Sequence, residues 1–268
     1  MSMDEDIEPP FHIPALKTRT SELIEATIHK ARHTRKCVLI RGIPGVGKTF
    51  TIRKITDENH HKHKLITASP MNQSPRAFFE EIADCLGING KWKSRHDLKN
   101  HVLAHLHSGY HSQGVIIIID EAQNLTLETL AALMDLSDQS GVPCAFVGNY
   151  HALKISQVDD SLFNMVMDRI PEKYQINIRG VYQDDARLFA IQFNVEGVPA
   201  YDYVTAYSAG RSLRRLCELL HEAREIAGSR GSIKLQHLRE AVETLHGEED
   251  DRKLFKLVPN RKAKEIAA

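Results

Sequence analysis

The sequence predicts an α/β protein in which a parallel sheet is followed by a smaller, all-helical part. Over the first 180 residues, short apolar runs rich in β-branched residues alternate with stretches of helical periodicity, which favours a parallel sheet. The run at residues 115–119 contains no polar side chain, as is typical of a central strand buried on both faces. From about Val181 onward only helical periodicity remains.

Each element of the first part has its own local signal. Ser74 followed by Pro75 predicts a helix start, Thr126 predicts another N-cap, and Gly141 predicts the end of the helix that Thr126 begins. The strands are expected at 37–40, 65–68, 115–119, 144–147 and 174–178. The helices are expected over 19–33, from 50, from 75 to 86, over 97–107, from 126 to about 141, and over 160–170.

The second part is predicted to contain four helices, over 184–193, 200–208, 212–227 and 235–245. We therefore expect four regions. They are a disordered arm (1–11), an α/β nucleotide-binding domain (12–180), a helical lid (181–246) and a flexible charged tail (247–268).

Composition restricts the class of protein. The 268 residues are 42% hydrophobic and 26% charged, which is ordinary for a soluble globular chain, and the formal net charge is zero. No run reaches membrane-spanning length, and the acidic N-terminus does not resemble a signal peptide. The four scattered cysteines form no C-x-x-C pair, so we expect reduced thiols and a cytoplasmic protein without membrane contact. Any contact with nucleic acid must come from local patches of charge.

Residues 42–49 match G-x-x-x-x-G-K-[ST], the phosphate-binding loop of nucleoside triphosphatases. Glycines let the backbone N–H groups wrap a phosphate chain, Lys48 can reach the β- and γ-phosphates, and the Thr49 hydroxyl can ligate Mg²⁺. A strand precedes the loop and a helix follows it, as this motif requires. The sequence therefore predicts ATP binding by Gly42, Ile43, Pro44, Gly45, Val46, Gly47, Lys48, Thr49 and Phe50.

Two carboxylates follow the apolar run at 115–119. Open α/β sheets bind ligands at the carboxyl ends of their strands, so Asp120 and Glu121 are expected beside the phosphate loop. Asp120 is predicted to hold Mg²⁺, and Glu121 to orient and deprotonate the water that attacks the γ-phosphate. The pair predicts hydrolysis of ATP as well as binding.

The segment at residues 89–96, called here the basic loop, surrounds the only tryptophan with cations. Lys91, Lys93 and Arg95 can neutralise phosphates, and Trp92, expected to be exposed, can pack on sugar or base. The residues alone leave two interpretations open, a DNA contact and a solvated loop. The histidine-rich run at 60–63 lacks accompanying cysteines or carboxylates and predicts a solvated turn rather than a metal site.

Several segments together resemble the AAA+ ATPases, and within them the transposition-targeting ATPases of Mu-type phages and related transposons. The likeness spans roughly residues 8–245 and rests on residues 8–10, 45–49, 80–87, 118–122, 147–149 and 212–214. It implies an AAA+ nucleotide-binding domain with a helical lid. It also implies head-to-tail self-assembly into a ring or helical filament, double-stranded DNA bound largely without sequence preference, and delivery of that DNA to a transposase.

The resemblance also implies residue roles. Asn149 matches the polar sensor that places the attacking water, although Asn is also favoured as a plain turn residue at a strand end. Arg169 matches the arginine finger of a neighbouring subunit, with pairing to Asp168 or Glu172 as the alternative. Arg214 matches the lid arginine that senses nucleotide. Its distance from Gly210 is one residue longer than usual, so Arg211 and Arg215 stay open as alternatives.

Two other functions stay open at this stage. One is an ATPase of DNA replication, such as an initiator or loader, although no winged-helix domain is expected after residue 245. The other is an interaction ATPase of secretion or signalling, which would not bind DNA. We also do not expect the N-terminal helix-turn-helix domain of the Mu-type protein.

Overall fold

The computed structural model describes residues 15–110, 114–149, 167–228 and 231–257. These residues form two compact units, one of residues 21–178 and one of residues 15–20 with 179–257. Residues 15–20 thus belong to the second unit, whereas the sequence had suggested that they are part of the nucleotide-binding domain. The predicted arm (1–11), most of the helix predicted at 160–170, and the last eleven residues lie outside the described residues.

The first unit alternates strands and helices. Its helices are α1 (Arg19–Thr34, whose first two residues belong to the second unit), α2 (Lys48–Glu58), α3 (Pro75–Cys85), α4 (Arg95–His105) and α5 (Leu127–Ser140). Its strands are β1 (Val38–Gly42), β2 (His63–Thr67), β3 (Ile116–Asp120), β4 (Cys144–Gly148) and β5 (Gln175–Ile178). Short π-helical and 3₁₀ turns cover Leu106–Tyr110, Ala122–Asn124 and Glu172–Tyr174.

The five strands form one parallel sheet in the order β2-β3-β4-β1-β5. The prediction of a parallel α/β sheet is confirmed. In this order β4 lies between β1, which leads into the phosphate loop, and β3, which ends in Asp120. Since parallel strands end at the same edge, the loop, the acid pair and the end of β4 share one edge of the sheet.

The core lies on both faces of the sheet. Ile117 and Ile119 pack into one apolar cluster with α3, α4 and α5, whereas Ile116 and Ile118 pack into a second cluster with α1 and α2. All four isoleucines are fully buried. A continuous apolar run is therefore required in β3, because side chains on both of its faces are removed from water.

Two of the predicted helix starts are confirmed in atomic detail. The side chains of Ser74 and Thr126 accept hydrogen bonds from the backbone N–H groups of Ala77 and Thr129. Helix α4 begins at Arg95, two residues earlier than expected, because Ser94 caps it in the same way. Helix α2 begins at Lys48 instead of Phe50, so the lysine of the phosphate loop is already helical.

The second unit consists of α6 (Gln183–Gln192), α7 (Val198–Ser208), α8 (Leu213–Ala227), α9 (Leu235–His246) and α10 (Glu248–Leu257). One apolar cluster fills its centre, and Tyr203, Tyr207 and Phe189 are the largest fully buried side chains of that cluster. Within the described part of the chain, no helix combines the length and the apolar character needed to cross a bilayer.

Helix α10 corrects the first part of the predicted flexible tail (247–268), up to Leu257. Leu254 packs into the core of the second unit, and Asp251 is completely buried. The Asp251 carboxylate accepts hydrogen bonds from the Tyr203 hydroxyl (2.7 Å) and from the Arg239 guanidinium (2.6 Å at the shortest). The run of acids at the start of α10 suggested a solvated segment, but it also suits the N-terminus of a helix.

Candidate nucleotide site

The phosphate loop connects the end of β1 to the start of α2, and its shape depends on glycine. Gly45 (φ 77°) and Gly47 (φ 94°) have left-handed backbone conformations that residues with a Cβ adopt only at a cost. A Cβ on Gly42 would lie 3.1 Å from both the Cβ and the carbonyl oxygen of Ile178 on β5. The three glycines of the motif are thus required by backbone conformation and by close packing.

Lys48 occupies the first turn of α2 and is almost completely buried. Its ammonium group donates hydrogen bonds to the carbonyl oxygens of Gly42 (2.8 Å) and Ile43 (3.1 Å) within the loop. Burial lowers the pKa of Lys48, and the nearby carboxylates of Glu121 and Asp120 partly oppose that shift. A buried cation at a helix N-terminus provides strong binding for a phosphate chain.

Asp120 ends β3 with only 2% of its surface exposed. Burial raises the pKa of its carboxyl group, while hydrogen bonds from the Thr49 side chain and the Glu121 N–H (2.9 Å) act in the opposite direction. A carboxylate and a hydroxyl held beside the phosphate loop are oxygen ligands of the kind that Mg²⁺ prefers. The predicted ligands Thr49 and Asp120 therefore suit this ion.

Glu121 follows directly and has an unusual backbone. Its φ of 52° is in the left-handed region, which non-glycine residues rarely occupy outside functional or tightly constrained sites. Its carboxylate accepts a hydrogen bond from the Gln123 side-chain amide. The same amide accepts a hydrogen bond from the backbone N–H of Asn149, with a donor–acceptor distance of 3.2 Å. Gln123 thus connects the ends of β3 and β4.

Gln123 was not among the predicted site residues. It lies in the 3₁₀ turn Ala122–Asn124 that follows Glu121, and the sequence shows it only as the last residue of Asp-Glu-Ala-Gln. The sequence could have indicated Gln123 only as a polar side chain two residues after the predicted base Glu121. The remaining loop residues differ in exposure: Val46 is buried, Ile43 is half-buried, and Pro44 and Phe50 are exposed at the surface.

Arg169 forms ion pairs with two acids of α5. Its guanidinium lies 2.8 Å from an Asp135 oxygen and 3.4 Å from an Asp138 oxygen, and about a third of its side chain is exposed. The hydrogen bond with Asp135 raises the pKa of Arg169. These partners are not the Asp168 or Glu172 suggested by the sequence, because α5 supplies acids from more than thirty residues away in the chain.

The three candidate lid arginines have different surroundings in the second unit. The Arg211 guanidinium stacks on the Tyr207 ring at 4.5 Å and donates to the Tyr207 carbonyl oxygen at 2.7 Å. Arg215 pairs with Glu218 at 3.3 Å. Arg214 lies in the first turn of α8 with an exposed side chain. Arg211 therefore has a structural task within its own unit.

The basic loop is only partly as predicted. Lys91 and Lys93 are exposed, and Arg95 is exposed but paired with Glu128 at 2.6 Å. Trp92 packs against the core and lies 5.1 Å from the His101 ring, so the expectation that it is exposed is wrong. The indole covers Gly90, where a Cβ would lie 2.7 Å from the ring.

His63 departs from the prediction of a solvated turn at 60–63. It is the first residue of β2, it is buried, and its Nδ1 lies 2.9 Å from the Ile55 carbonyl oxygen. Burial lowers its pKa. Among the described residues, no group of three or more His, Cys, Asp or Glu side chains has the arrangement of a metal site.

The fold and the site resemble those of AAA domains. Residues 30–155 match the AAA domain family, a span that includes the phosphate loop, the acid pair and Asn149. Among solved structures, the chain is similar to Cdc6p from Pyrobaculum aerophilum, with a TM-score of 0.56 and 18% identity over 88% of this chain and 69% of that one. It is also similar to a RuvB variant from Thermotoga maritima, with a TM-score of 0.52 and 16% identity over 87% and 72% of the two chains.

Among curated proteins, the chain resembles the B proteins of Mu-type phages. It is 32% identical over 145 residues to the Mu-like prophage FluMu DNA transposition protein B of Haemophilus influenzae, covering 54% of this chain and 48% of that one. It is 29% identical over 143 residues to the ATP-dependent target DNA activator B of Escherichia phage Mu, covering 53% and 43%. The matched region spans less than half the length of these relatives.

Proposed function

We propose that this protein is an ATPase that assembles on double-stranded DNA when it binds ATP, largely without sequence preference, and presents that DNA to a transposase. The observation that carries the proposal is a phosphate loop and an acid pair, Asp120 and Glu121, at one edge of the sheet, in a chain that resembles transposition B proteins. The names of the relatives suggest DNA as the substrate and a transposase as the partner. The candidate site suggests that ATP drives the process.

Hydrolysis uses side chains at one edge of the sheet. Lys48 binds the β- and γ-phosphates, and Glu121 accepts a proton from the attacking water as its oxygen bonds to the γ-phosphorus. The bond from that phosphorus to the oxygen shared with ADP then breaks, releasing ADP and phosphate. Asn149 holds the water, and Thr49 and Asp120 are the residues that would hold Mg²⁺. That ion, when bound, offsets the negative charge of the phosphates.

Assembly depends on Arg169 and Arg214. An arginine finger acts on the nucleotide of the next subunit, so Arg169 requires a head-to-tail contact, which closes into a ring or continues as a helical filament. Arg214 senses the nucleotide from the lid. In the chain described here Arg169 pairs with Asp135 and Asp138, and the proposal requires this exposed pairing to be exchanged for the neighbour's phosphate.

DNA contact falls to Lys91, Lys93 and Arg95, which neutralise phosphates. Three such contacts per subunit predict that binding weakens about 40-fold between roughly 50 and 200 mM salt. A gel-shift assay at these two salt concentrations, with no nucleotide, with ADP and with a slowly hydrolysed ATP analogue, tests the proposal. We expect retention only with the analogue. Equal retention without nucleotide, or none in any condition, contradicts it.

Two variants separate hydrolysis from assembly. Glu121→Gln is expected to keep ATP bound and to form long-lived assemblies visible by negative-stain microscopy, because the base is lost but the phosphate loop is intact. Arg169→Ala is expected to bind nucleotide normally. Its rate of ATP hydrolysis should not rise when the subunits assemble, because the finger for the next subunit's nucleotide is missing. The matched control is Arg76→Ala, which removes another surface arginine paired with an acid, here Glu80. Normal hydrolysis by Glu121→Gln would show that the base is a different residue.

A further inference from the structure

Both the nitrogen and the oxygen of the Gln123 side-chain amide form hydrogen bonds at the edge of the sheet. Nε2 donates to the Glu121 carboxylate, and Oε1 accepts from the Asn149 backbone N–H at 3.2 Å. The reversed amide would bring two acceptors together at one end and two donors together at the other. The hydrogen-bonding partners therefore determine the orientation of the amide.

The carboxylate that Gln123 holds follows β3, which ends at the same edge of the sheet as β1 and the phosphate loop. Glu121 is the charge that most strongly opposes the lowering of the Lys48 pKa by burial, so the two side chains interact electrostatically. A carboxylate bound through Oε2 still has Oε1 with which to accept a proton. The hydrogen bond to Gln123 is thus compatible with Glu121 acting as a base.

We propose that Gln123 is a positioning residue that holds the Glu121 carboxylate in the orientation required for attack by water. The inference rests on the proposed function, because it concerns the same ATP hydrolysis. Gln123 connects the base after β3 to the main chain directly after β4, at the proposed sensor Asn149. The bond uses the backbone N–H of Asn149, so it is independent of that residue's side chain.

The test is steady-state hydrolysis of ATP by Gln123→Ala and Gln123→Glu, together with the affinity for a fluorescent nucleotide. We expect Gln123→Ala to lower kcat by about 10- to 100-fold, since small misplacements of a catalytic group have effects of this size. KM and nucleotide affinity are expected to change by less than about threefold, because Gln123 does not contribute to the phosphate loop. Unchanged affinity also shows that the variants fold.

Gln123→Glu distinguishes positioning from a structural role. It keeps the length of the side chain and the acceptor for the Asn149 N–H, but it replaces the donor to Glu121 with a second carboxylate. If Gln123 only supports the turn, this variant retains nearly full kcat. If Gln123 positions Glu121, it loses at least as much kcat as Gln123→Ala. A rise in kcat for either variant would mean that Gln123 restrains Glu121 from reacting, and would also overturn the inference.

A double-mutant cycle with Glu121→Ala separates this inference from the proposed function. When the base is absent, replacing Gln123 by alanine is expected to lower the residual kcat no further. An equal loss in both backgrounds would overturn the positioning role while the proposed function survives. If Glu121→Ala alone leaves kcat unchanged, the proposed base is wrong and the proposed function must be revised first.

Discussion

The phosphate loop and the basic loop both depend on lysines, but in opposite surroundings. Lys48 is 9% exposed and is held by two backbone carbonyl groups in a loop that glycines shape. Lys91 and Lys93 project from a loop in which the packed residue is Trp92, the one predicted to be exposed. The backbone fixes the position of the buried Lys48 ammonium group. The positions of the exposed lysines are not fixed by the backbone in this way.

The contrast extends to ion pairs. In the second unit, Asp251 has 1% of its side chain exposed and is paired with Arg239, while Arg95 of the basic loop and its partner Glu128 on α5 are 60% and 65% exposed. Buried charges lose hydration and become costly when a partner is removed, but exposed pairs contribute about 1 kcal/mol or less.

Replacing Lys48 by alanine should have the largest effect. The variant loses charge-assisted hydrogen bonds to two phosphates, each of which is worth about 1.5–3 kcal/mol. Nucleotide affinity is expected to fall by at least about 100-fold, measured by titration with a fluorescent ATP analogue, and nucleotide-dependent DNA retention should disappear with it. The matched control is Lys54→Ala, which removes an exposed lysine from the same helix. Equal losses in the two variants would mean that general charge, not the loop, binds the nucleotide.

The sheet and the nucleotide site were predictable because each depends on a local pattern. Gly45 and Gly47 are required by their backbone conformations, and the apolar run before Asp120 is required by burial on both faces of β3. Both requirements leave a pattern in the local sequence, whichever residues pack around them. The spacing of these residues in the sequence was therefore enough to predict where they would lie.

The missed features depend on partners far apart in the chain. Arg169 pairs with acids of α5, and Trp92 covers Gly90 and packs against the core through the fold of the loop. Asp251 stands in a run of acids that resembles a solvated tail, yet Tyr203 and Arg239 make it the most buried carboxylate of the second unit. Such contacts leave no trace in the periodicity of the sequence.

Replacing Asp251 by alanine should destabilise the second unit by about 3–5 kcal/mol, because Arg239 and Tyr203 lose a buried partner. Chemical denaturation followed by circular dichroism measures the free energy of unfolding. The control Glu249→Ala removes an exposed acid of the same helix, paired with Lys253, and is expected to change stability far less. If the two variants lose similar free energies of unfolding, burial does not determine how much an ion pair contributes to stability.

The same carboxylate predicts a dependence on pH. Burial disfavours the ionised form, but hydrogen bonds from Arg239 and Tyr203 outweigh it and hold the pKa of Asp251 below its ordinary value. A group with a lowered folded pKa stabilises the protein above its unfolded pKa of about 3.9, and that contribution is lost as the pH falls further. The difference between wild type and Asp251→Ala should therefore be constant near neutral pH and shrink below about pH 4. A difference that stays constant to pH 2 would contradict this.

Replacing Trp92 by alanine tests whether the basic loop has a packed centre. The indole is partly buried against the core, so we expect a loss of about 1–3 kcal/mol in the free energy of unfolding. Trp92→Phe should recover part of it. DNA retention at a temperature where the variant is folded should change by less than about threefold. A large loss of retention in a fully stable variant would show that the indole stacks on DNA instead.

The smallest effect concerns Arg95, whose charge is shared with Glu128. In Glu128→Gln the guanidinium no longer has a competing carboxylate, so DNA retention should strengthen by a few-fold and the salt dependence should become steeper, by at most about 0.9 in the logarithmic slope. Arg95→Ala should then weaken retention more in the Glu128→Gln background than in the wild type, as coupling between paired residues requires. Glu80→Gln is the control, since it also removes a surface acid paired with an arginine and changes the net charge equally. Equal strengthening by the two glutamine variants would trace the effect to net charge, and would leave only Lys91 and Lys93 as the DNA contacts of the loop.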